Sequence, residues 1–169
     1  MDNDKVSAID CTKRVRLGWG AVLGAGVIAS MVFQVLEVVL IPLAGGGGPW
    51  GPARMIAAMA MGPGALAPRV GFDLEIVAVA LVVDFALAIA YTAVLSLFIR
   101  GWPLGRAIIV GAVFGAGLYL INFYGFTIVF PWFVAGRNGV TLFTHIAFSV
   151  TAVMAYKNLY GRSKLMSAG

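Results

Sequence analysis

Four long apolar segments constrain this chain more than any other feature of its sequence. They lie at residues 17–43, 74–99, 104–130 and 140–156. A helix needs about 17–25 apolar residues to cross the hydrocarbon core of a bilayer, so the first three are long enough and the fourth is near the minimum. Hydrophobic residues make up 61% and charged residues 11% of the chain, against about 45–50% and about 25% in soluble domains. These values exclude a water-soluble domain.

The hydrophobic pattern predicts helices and not strands. None of the segments alternates between apolar and polar residues, as the strands of a membrane β-barrel do, and backbone groups in lipid must then be satisfied within helices. We therefore expect an all-α integral membrane protein with four transmembrane helices in an antiparallel up-and-down bundle. The short connection at residues 100–103 predicts that the second and third helices pack as neighbours. A single transmembrane domain would cover residues 17–156, between tails at 1–16 and 157–169.

The distribution of lysine and arginine predicts the orientation of the chain. Nine of these residues lie on the side of both termini: Lys5, Lys13, Arg14, Arg16, Arg100, Arg106, Lys157, Arg162 and Lys164. Three lie on the opposite side: Arg54, Arg69 and Arg137. Because basic residues concentrate on the cytoplasmic side of a membrane, we expect both tails to be cytoplasmic. Orientation also accounts for the net charge of +5, so no nucleic-acid partner is predicted.

The loop at residues 44–73 is predicted to lie on the outer face. It contains a glycine run and then a short apolar stretch at 55–61, too short to span a bilayer. We therefore expect a short interfacial or re-entrant helix there. Two interpretations remain open: a lid that covers the outer end of the bundle, or a gate that contacts a ligand. The residues assigned to this lid or gate are Trp50, Pro52, Arg54 and Arg137.

Each predicted helix carries a polar or ionisable residue at a similar depth. Ionisable side chains within a span cost about 2.5–3.5 kcal/mol each on insertion scales and usually have a function. The helical rise places these groups about 8–15 Å from the outer ends of their helices. The candidate cluster consists of Gln34, Glu37, Asp84, Tyr119, Asn122 and His145. The pairs Gly20-xxx-Gly24 and Gly111-xxx-Gly115 have the spacing of close-packing motifs in membrane helices.

Three interpretations of this cluster remain open. It could join the helices through hydrogen bonds, with His145 donating to Glu37 or Asp84 and Asn122 filling the remaining bond. It could be a protonatable site coupled to transport, in which a carboxylate loads and releases a proton or cation and His145 relays it. It could be a metal or redox site, because Glu37, Asp84 and His145 form a two-carboxylate, one-imidazole set suited to iron, manganese or zinc. No other cofactor is predicted.

Catalysis is not expected. The chain contains no Gly-x-Ser-x-Gly elbow, no P-loop and no His-Glu-x-x-His motif. Ser149 follows His145 by one helical turn, a spacing more typical of packing residues than of a nucleophile and its base. Because four helices enclose little volume, a transport pathway would require a homo-oligomer or a larger membrane complex. The preferred prediction is an accessory or transport-related membrane protein, with a metal- or redox-associated subunit and a structural assembly subunit as alternatives.

Three sequence blocks resemble those of a known group of proteins. They are residues 48–58 (GPWGPARMIAA) with Gly62-Pro63-Gly64, residues 119–126 (YLINFYGF), and residues 130–133 (FPWF) with Arg137-Asn138 and His145. Between residues 18 and 156 the chain resembles small uncharacterised proteobacterial four-helix inner-membrane proteins, which often carry the label hypothetical membrane protein or sodium:proline symporter. The resemblance implies a location in the bacterial inner membrane. It assigns no catalytic or binding residue.

Overall fold

The structure, a computed structural model, describes residues 18–45, 47–67 and 71–166, the last three of them by their backbone alone. Every regular element within these ranges is helical. Four helices are long and apolar enough to cross a membrane: Trp19–Leu43, Leu74–Ile99, Leu104–Ile128 and Gly139–Ser163. The predicted all-α class and its four spans are confirmed at this level. The predicted N-terminal tail and Arg69 lie outside the described residues.

The first span is followed by a separate short helix. Helix α1 is Trp19–Leu43, and helix α2, in the loop at residues 44–73, is Gly51–Met61. Pro52 stands in the first turn of α2, where its missing N–H leaves no hydrogen bond unmade. The helix ends at Gly62, whose φ of 81° lies in the left-handed region that favours glycine. The loop therefore contains a short helix, as predicted, and this helix begins before the apolar stretch.

The second span, helix α3, is Leu74–Ile99 and has the predicted bounds. The Asp73 carboxylate accepts hydrogen bonds from the backbone N–H groups of Glu75, at 3.2 Å, and Ile76, at 3.3 Å. These two N–H groups have no partner within the helix, so the carboxylate satisfies donors that would otherwise need water. Asp73 thus determines where α3 begins.

The third span is not the single regular helix that was predicted for residues 104–130. Helix α4 is Leu104–Leu120, and a π-helical turn at Ile121–Gly125 and a 3₁₀ turn at Phe126–Ile128 follow it. The wider π turn leaves backbone carbonyls without their usual helical donors. One of them, on Phe123, accepts a hydrogen bond of 2.7 Å from Nε of Arg137. A side chain outside the span therefore stabilises the change of helical geometry.

The fourth span is helix α5, Gly139–Met166, which continues past the predicted boundary at residue 156. Asn138 accepts a hydrogen bond of 2.9 Å from the backbone N–H of Thr141 and so caps the start of α5. The sequence after Tyr156 is polar. The predicted boundary at residue 156 is therefore the end of the apolar segment, and the helix continues beyond it to Met166.

Helix α5 is the main packing partner in the bundle. It lies along α1 and α4, and α1 also packs against α3. Gly111 and Gly115 of α4 allow this approach, because a Cβ on Gly115 would lie 2.5 Å from the carbonyl oxygen of His145. Helices α3 and α4 contact each other sparsely despite their short connection, contrary to the predicted pairing of these neighbours. A tight turn at one end does not keep two helices together along their length.

Helix α2 packs against the start of α3. Its Ala57 and Ala58 are buried against Ile76 and Ala80 of that helix. The indole N–H of Trp132 donates a hydrogen bond of 3.0 Å to the carbonyl oxygen of Met55. This bond joins α2 to the 3₁₀ turn at Pro131–Gly136, which precedes α5. Helix α2 is therefore held between the ends of two spans, over the space that the four spans enclose.

Candidate functional site

A cavity of about 180 Å³ lies between the four spans and beneath α2. Its polar lining includes Glu37 from α1, Asp84 and Tyr91 from α3, Asn122 from the π turn and His145 from α5. Each of the four spans thus contributes at least one polar side chain to the same cavity. The structure brings together the four residues of the candidate cluster that come from different helices.

The two carboxylates of the cavity are held by neutral groups. The hydroxyl of Thr144 donates a hydrogen bond of 3.0 Å to Oε1 of Glu37, which is only 6% exposed. The hydroxyl of Ser30 donates to Oδ2 of Asp84, and Gln34 is a second hydrogen-bonding neighbour of that carboxylate. No lysine or arginine lines the cavity within the described part of the chain. Among the described residues, the two acidic groups of the cavity therefore have no cationic partner.

A chain of hydrogen bonds crosses the cavity from α3 to α5. The hydroxyl of Tyr91 donates to Oδ1 of Asn122 at 3.1 Å, and the amide Nδ2 of Asn122 lies 3.2 Å from Nε2 of His145. Nδ1 of His145 lies 2.8 Å from the carbonyl oxygen of Thr141. Because a carbonyl can only accept, the proton of the neutral imidazole is on Nδ1, and Nε2 accepts from Asn122. In this series of hydrogen bonds every donor therefore meets an acceptor, from Tyr91 through Asn122 and His145 to Thr141.

This chain corrects the predicted pairing of His145 with a carboxylate. The imidazole donates to the backbone of its own helix and accepts from Asn122. The carboxylates instead accept from the hydroxyls of Ser30 and Thr144. The reason is local, because the carbonyl of Thr141 is one helical turn before His145 and within direct reach of Nδ1. Glu37 and His145 are linked only indirectly, because the carbonyl oxygen of Thr141 lies within hydrogen-bond distance of both the Thr144 hydroxyl and Nδ1 of His145.

Aromatic rings and methionine side chains form the rest of the wall. The rings of Phe33 and Phe123 stand edge-on to the imidazole of His145, with centroid distances of 5.1 and 5.4 Å. Phe148 packs edge-on against Phe33 at 6.2 Å. From above, α2 contributes Met55 and Met59. The polar groups therefore face a cavity whose remaining surface is apolar and aromatic.

Two further residues of the candidate cluster lie beside the cavity and do not line it. Gln34 approaches the Asp84 carboxylate from α1. Tyr119 is buried behind the imidazole, with its ring centroid 6.2 Å from that of His145 and 5.4 Å from that of Phe123. Both residues support side chains that do face the cavity. Gln34 and Tyr119 lie about one helical turn before Glu37 and Asn122, which explains why the helical spacing grouped them together.

The four residues assigned to the lid or gate have different surroundings. Pro52 lines the cavity from α2, whereas Trp50, just before α2, packs against Phe72 with a centroid distance of 5.1 Å. Arg54 donates to the carbonyl oxygens of Ala65 and Gly71, at 3.3 and 3.1 Å. It therefore fastens the loop behind α2 and does not point into the cavity.

The remaining lid or gate residue, Arg137, stabilises the end of the third span. In addition to its bond with Phe123, its guanidinium donates to the hydroxyl of Thr127 at 3.1 Å. The same group lies over the ring of Tyr124, 4.3 Å from its centroid. The two outer arginines thus hold segments of backbone in place around the cavity.

The ligands predicted for a metal site are not arranged as a metal site. Within the described residues, no three or more histidine, cysteine, aspartate or glutamate side chains come together in a group that could hold a metal ion. Glu37 and Asp84 are neighbours, but the coordinating nitrogen of His145 is already directed at Asn122. The three expected ligands therefore line one cavity, but among the described residues they do not form a group that could hold a metal ion.

Several residues of the cavity had not been included in the candidate cluster. Tyr91 and Ser30 share helical stripes with Asp84 and Glu37, so their spacing could have identified them. Thr144 follows Thr141 by three residues and so lies beside the stripe that contains His145, but no sequence signal distinguished it as the partner of Glu37. Met55 and Met59 belong to the predicted outer helix, but their contact with the cavity depends on how α2 packs.

Comparison with known proteins gives no family, curated protein or solved structure that matches this chain. The assignment of a function therefore rests on the geometry of the site.

Proposed function

We propose that this chain is a small polytopic inner-membrane protein that takes part in transport, with the cavity beneath α2 as its binding site. In this proposal the four spans form an up-and-down bundle with both termini in the cytoplasm. Helix α2 then lies at the outer face as an interfacial lid. The excess of lysine and arginine on the side of the termini supports this orientation.

The observation that carries the proposal is the pair of carboxylates in one intramembrane cavity. Glu37 and Asp84 face the same space and accept hydrogen bonds only from neutral side chains within the described part of the chain. Hydroxyl or amide side chains could join the helices at a lower cost of insertion. Carboxylates are needed where a group gains and loses a proton or meets a cation. The cavity therefore favours a coupling site over a purely structural cluster.

The end of the bundle opposite α2 is closed by tight packing. Val22 of α1, Leu95 of α3 and Val153 of α5 are completely buried there. In the same region the hydroxyls of Thr92 and Ser149 are buried without a hydrogen-bond partner among the described residues. Buried hydroxyls of this kind are commonly satisfied by ordered water. Water at these positions would give a proton from Asp84 a route through the packed end.

The proposal is tested by measuring proton movement into liposomes that contain the purified protein and a pH-sensitive dye. A potassium gradient with valinomycin supplies an inside-negative potential. We expect proton uptake faster than in protein-free liposomes, and we expect Glu37→Gln and Asp84→Asn each to reduce the rate to that background. Both substitutions keep the size of the side chain and remove its ability to carry a proton.

The matched control is Glu75→Gln, because Glu75 is an exposed carboxylate at the start of α3. This variant should keep the wild-type rate. Wild-type liposomes that are no faster than empty ones would refute the transport proposal. If Glu37→Gln and Asp84→Asn then also lowered stability or the yield of a co-purified partner, the assembly interpretation would take its place.

A further inference from the structure

We infer that the cavity binds a small organic cation, in which a protonated amine is carried by a short alkyl chain on a single aromatic ring or by a short branched alkyl group. This inference depends on the proposed function, since it names the class of ligand for the same site. It is carried by the charge of the cavity, the chemistry of its wall and its volume, which are taken in turn below.

The charge of the cavity calls for a cation. Glu37 and Asp84 line it, and the lining contains no lysine or arginine among the described residues. The guanidinium groups of Arg54 and Arg137 are engaged elsewhere, Arg54 with the carbonyls of Ala65 and Gly71 and Arg137 with that of Phe123. Oε2 of Glu37 accepts no hydrogen bond within the described part of the chain. A neutral ligand would remove water from these carboxylates and could return at most a hydrogen bond, whereas a cation also offsets their charge.

The wall of the cavity suits an ammonium group that carries an apolar body. Besides Phe33 and Phe148, the rings of Tyr91, Phe123 and Phe133 face the cavity. The faces of aromatic rings attract cations, and this attraction is larger where water is excluded. An organic ammonium can therefore contact the carboxylates and the rings together. A bare metal ion could contact the two carboxylates but would make no use of the apolar wall, and the described residues provide no group of three metal-ligating side chains.

The volume limits the size of the ligand. The cavity measures about 180 Å³, and an engineered apolar cavity of about 150 Å³ in another protein accommodates benzene. One ring with a short amine-bearing chain is therefore the largest body that the cavity encloses. The amine would lie towards Glu37 and Asp84, and the ring would lie beneath Met55 and Met59 of α2. Methionine side chains adapt to different shapes, so α2 can cover related ligands.

The test compares two probes of nearly identical shape that differ in charge. Purified protein in lipid nanodiscs is titrated by calorimetry with 2-phenylethylammonium chloride and, separately, with 2-phenylethanol. Empty nanodiscs give the heat of partition into lipid, which is subtracted. We expect the ammonium probe to bind at least tenfold more tightly than the alcohol. Glu37→Gln and Asp84→Asn should each weaken the ammonium probe at least tenfold, and the exposed control Glu75→Gln should not.

The comparison of the two probes uses the unmodified protein, so it does not depend on whether a variant folds. Equal affinity for the two probes, or no saturable heat with the ammonium probe, would refute the inference. The result is separable from that of the proton measurement. Carboxylate-dependent proton uptake without ammonium binding would reject the ligand class alone. Ammonium binding without proton uptake would reject transport and leave the cation site in place.

Discussion

Asn122 is the residue that connects the polar groups of α3 and α5. It accepts a hydrogen bond from Tyr91 and donates one to His145. Only a side chain with both a donor and an acceptor can bridge a hydroxyl that donates and an imidazole nitrogen that accepts, so an amide suits this position and a carboxylate does not. The π turn that carries Asn122 begins one residue earlier, at Ile121. The change of helical geometry and the bridging amide thus occur together in this part of the third span.

Removing Tyr91 and Asn122 singly and together should reveal their coupling. We expect Tyr91→Phe to lower the free energy of unfolding by about 0.6 kcal/mol, the average for a hydrogen bond between membrane helices. Asn122→Leu should cost more, because it breaks the bonds to Tyr91 and His145 together. In the Asn122→Leu background, Tyr91→Phe should have almost no further effect, since its acceptor is gone. Reversible unfolding in mixed micelles measures all three variants, and full additivity would contradict the hydrogen-bonded chain.

The residues of the site could be predicted from the sequence better than the bonds between them. Depth along each helix follows from counting residues, and this brought Glu37, Asp84, Asn122 and His145 to one level. The partner of each group depends on side-chain rotamers and on neighbours from other helices. Thr144 is an example, because only the close approach of α1 and α5 brings its hydroxyl to Glu37. Nothing in the sequence near Thr144 indicates that approach.

At the scale of elements, the close approach of α4 to α5 depends on Gly111 and Gly115, which lie against α5. A third glycine of α4, Gly117, has open space around it. A Cβ on Gly115 would lie 2.5 Å from the carbonyl oxygen of His145 and 2.8 Å from Cα of Ile146, both of them backbone atoms. A Cβ on Gly111 would meet the Val153 side chain at 2.7 Å. Gly117, on the same helix, has no atom within 4 Å of the equivalent position.

We therefore expect Gly115→Ala to separate α4 from α5 and to lower the free energy of unfolding by about 1–3 kcal/mol, as overpacked substitutions do. The matched control is Gly117→Ala, which should leave stability unchanged or slightly raise it, because alanine favours helix over glycine. Unfolding of both variants in mixed micelles gives the comparison. Equal losses of unfolding free energy in the two variants would show that the contact of Gly115 with α5 does not determine the stability of the bundle.

Elements were predictable where hydrophobicity alone determines them. The bounds of α3 agree with those predicted because its apolar segment begins at a capping aspartate and ends at an arginine. The change to a π turn at Ile121 was not predictable, since it is stabilised by Arg137 from outside the span. The glycine pairs illustrate the same limit. Gly111 and Gly115 do pack closely, whereas a Cβ on Gly20 would contact nothing, although their spacing is the same.

At the scale of the whole molecule, α5 joins parts that otherwise hardly meet. Helix α4 contacts α3 sparsely, and its principal partner is α5. Helix α1 also packs along α5, and α3 packs chiefly against α1. The order of contact is therefore α3, α1, α5 and α4, which differs from the order along the chain. This order could not be predicted from the sequence, because apolar helices of similar length can pack in several arrangements with the same loops.

A chain that ends at Asn138 should therefore insert into the membrane and fail to form the compact bundle. We expect this fragment to be degraded by proteases that leave the complete chain intact. Co-expression of a second fragment that begins at Gly139 should restore resistance, because the contacts of α5 with α1 and α4 need no covalent link to form. Protease sensitivity in membranes measures both results. Resistance of the first fragment by itself would show that α1, α3 and α4 associate without α5.

The place of α5 in the chain also has a consequence for synthesis. Helices that enter the bilayer one at a time associate only when their partners are present. While α5 is still on the ribosome, Glu37 and Asp84 are already in the bilayer without the cover that α5 gives to one side of the cavity. Synthesis proceeds at about 5–20 residues per second, so this interval lasts a few seconds. During that interval Glu37 lacks the hydroxyl of Thr144, which is its hydrogen-bond donor in the complete bundle.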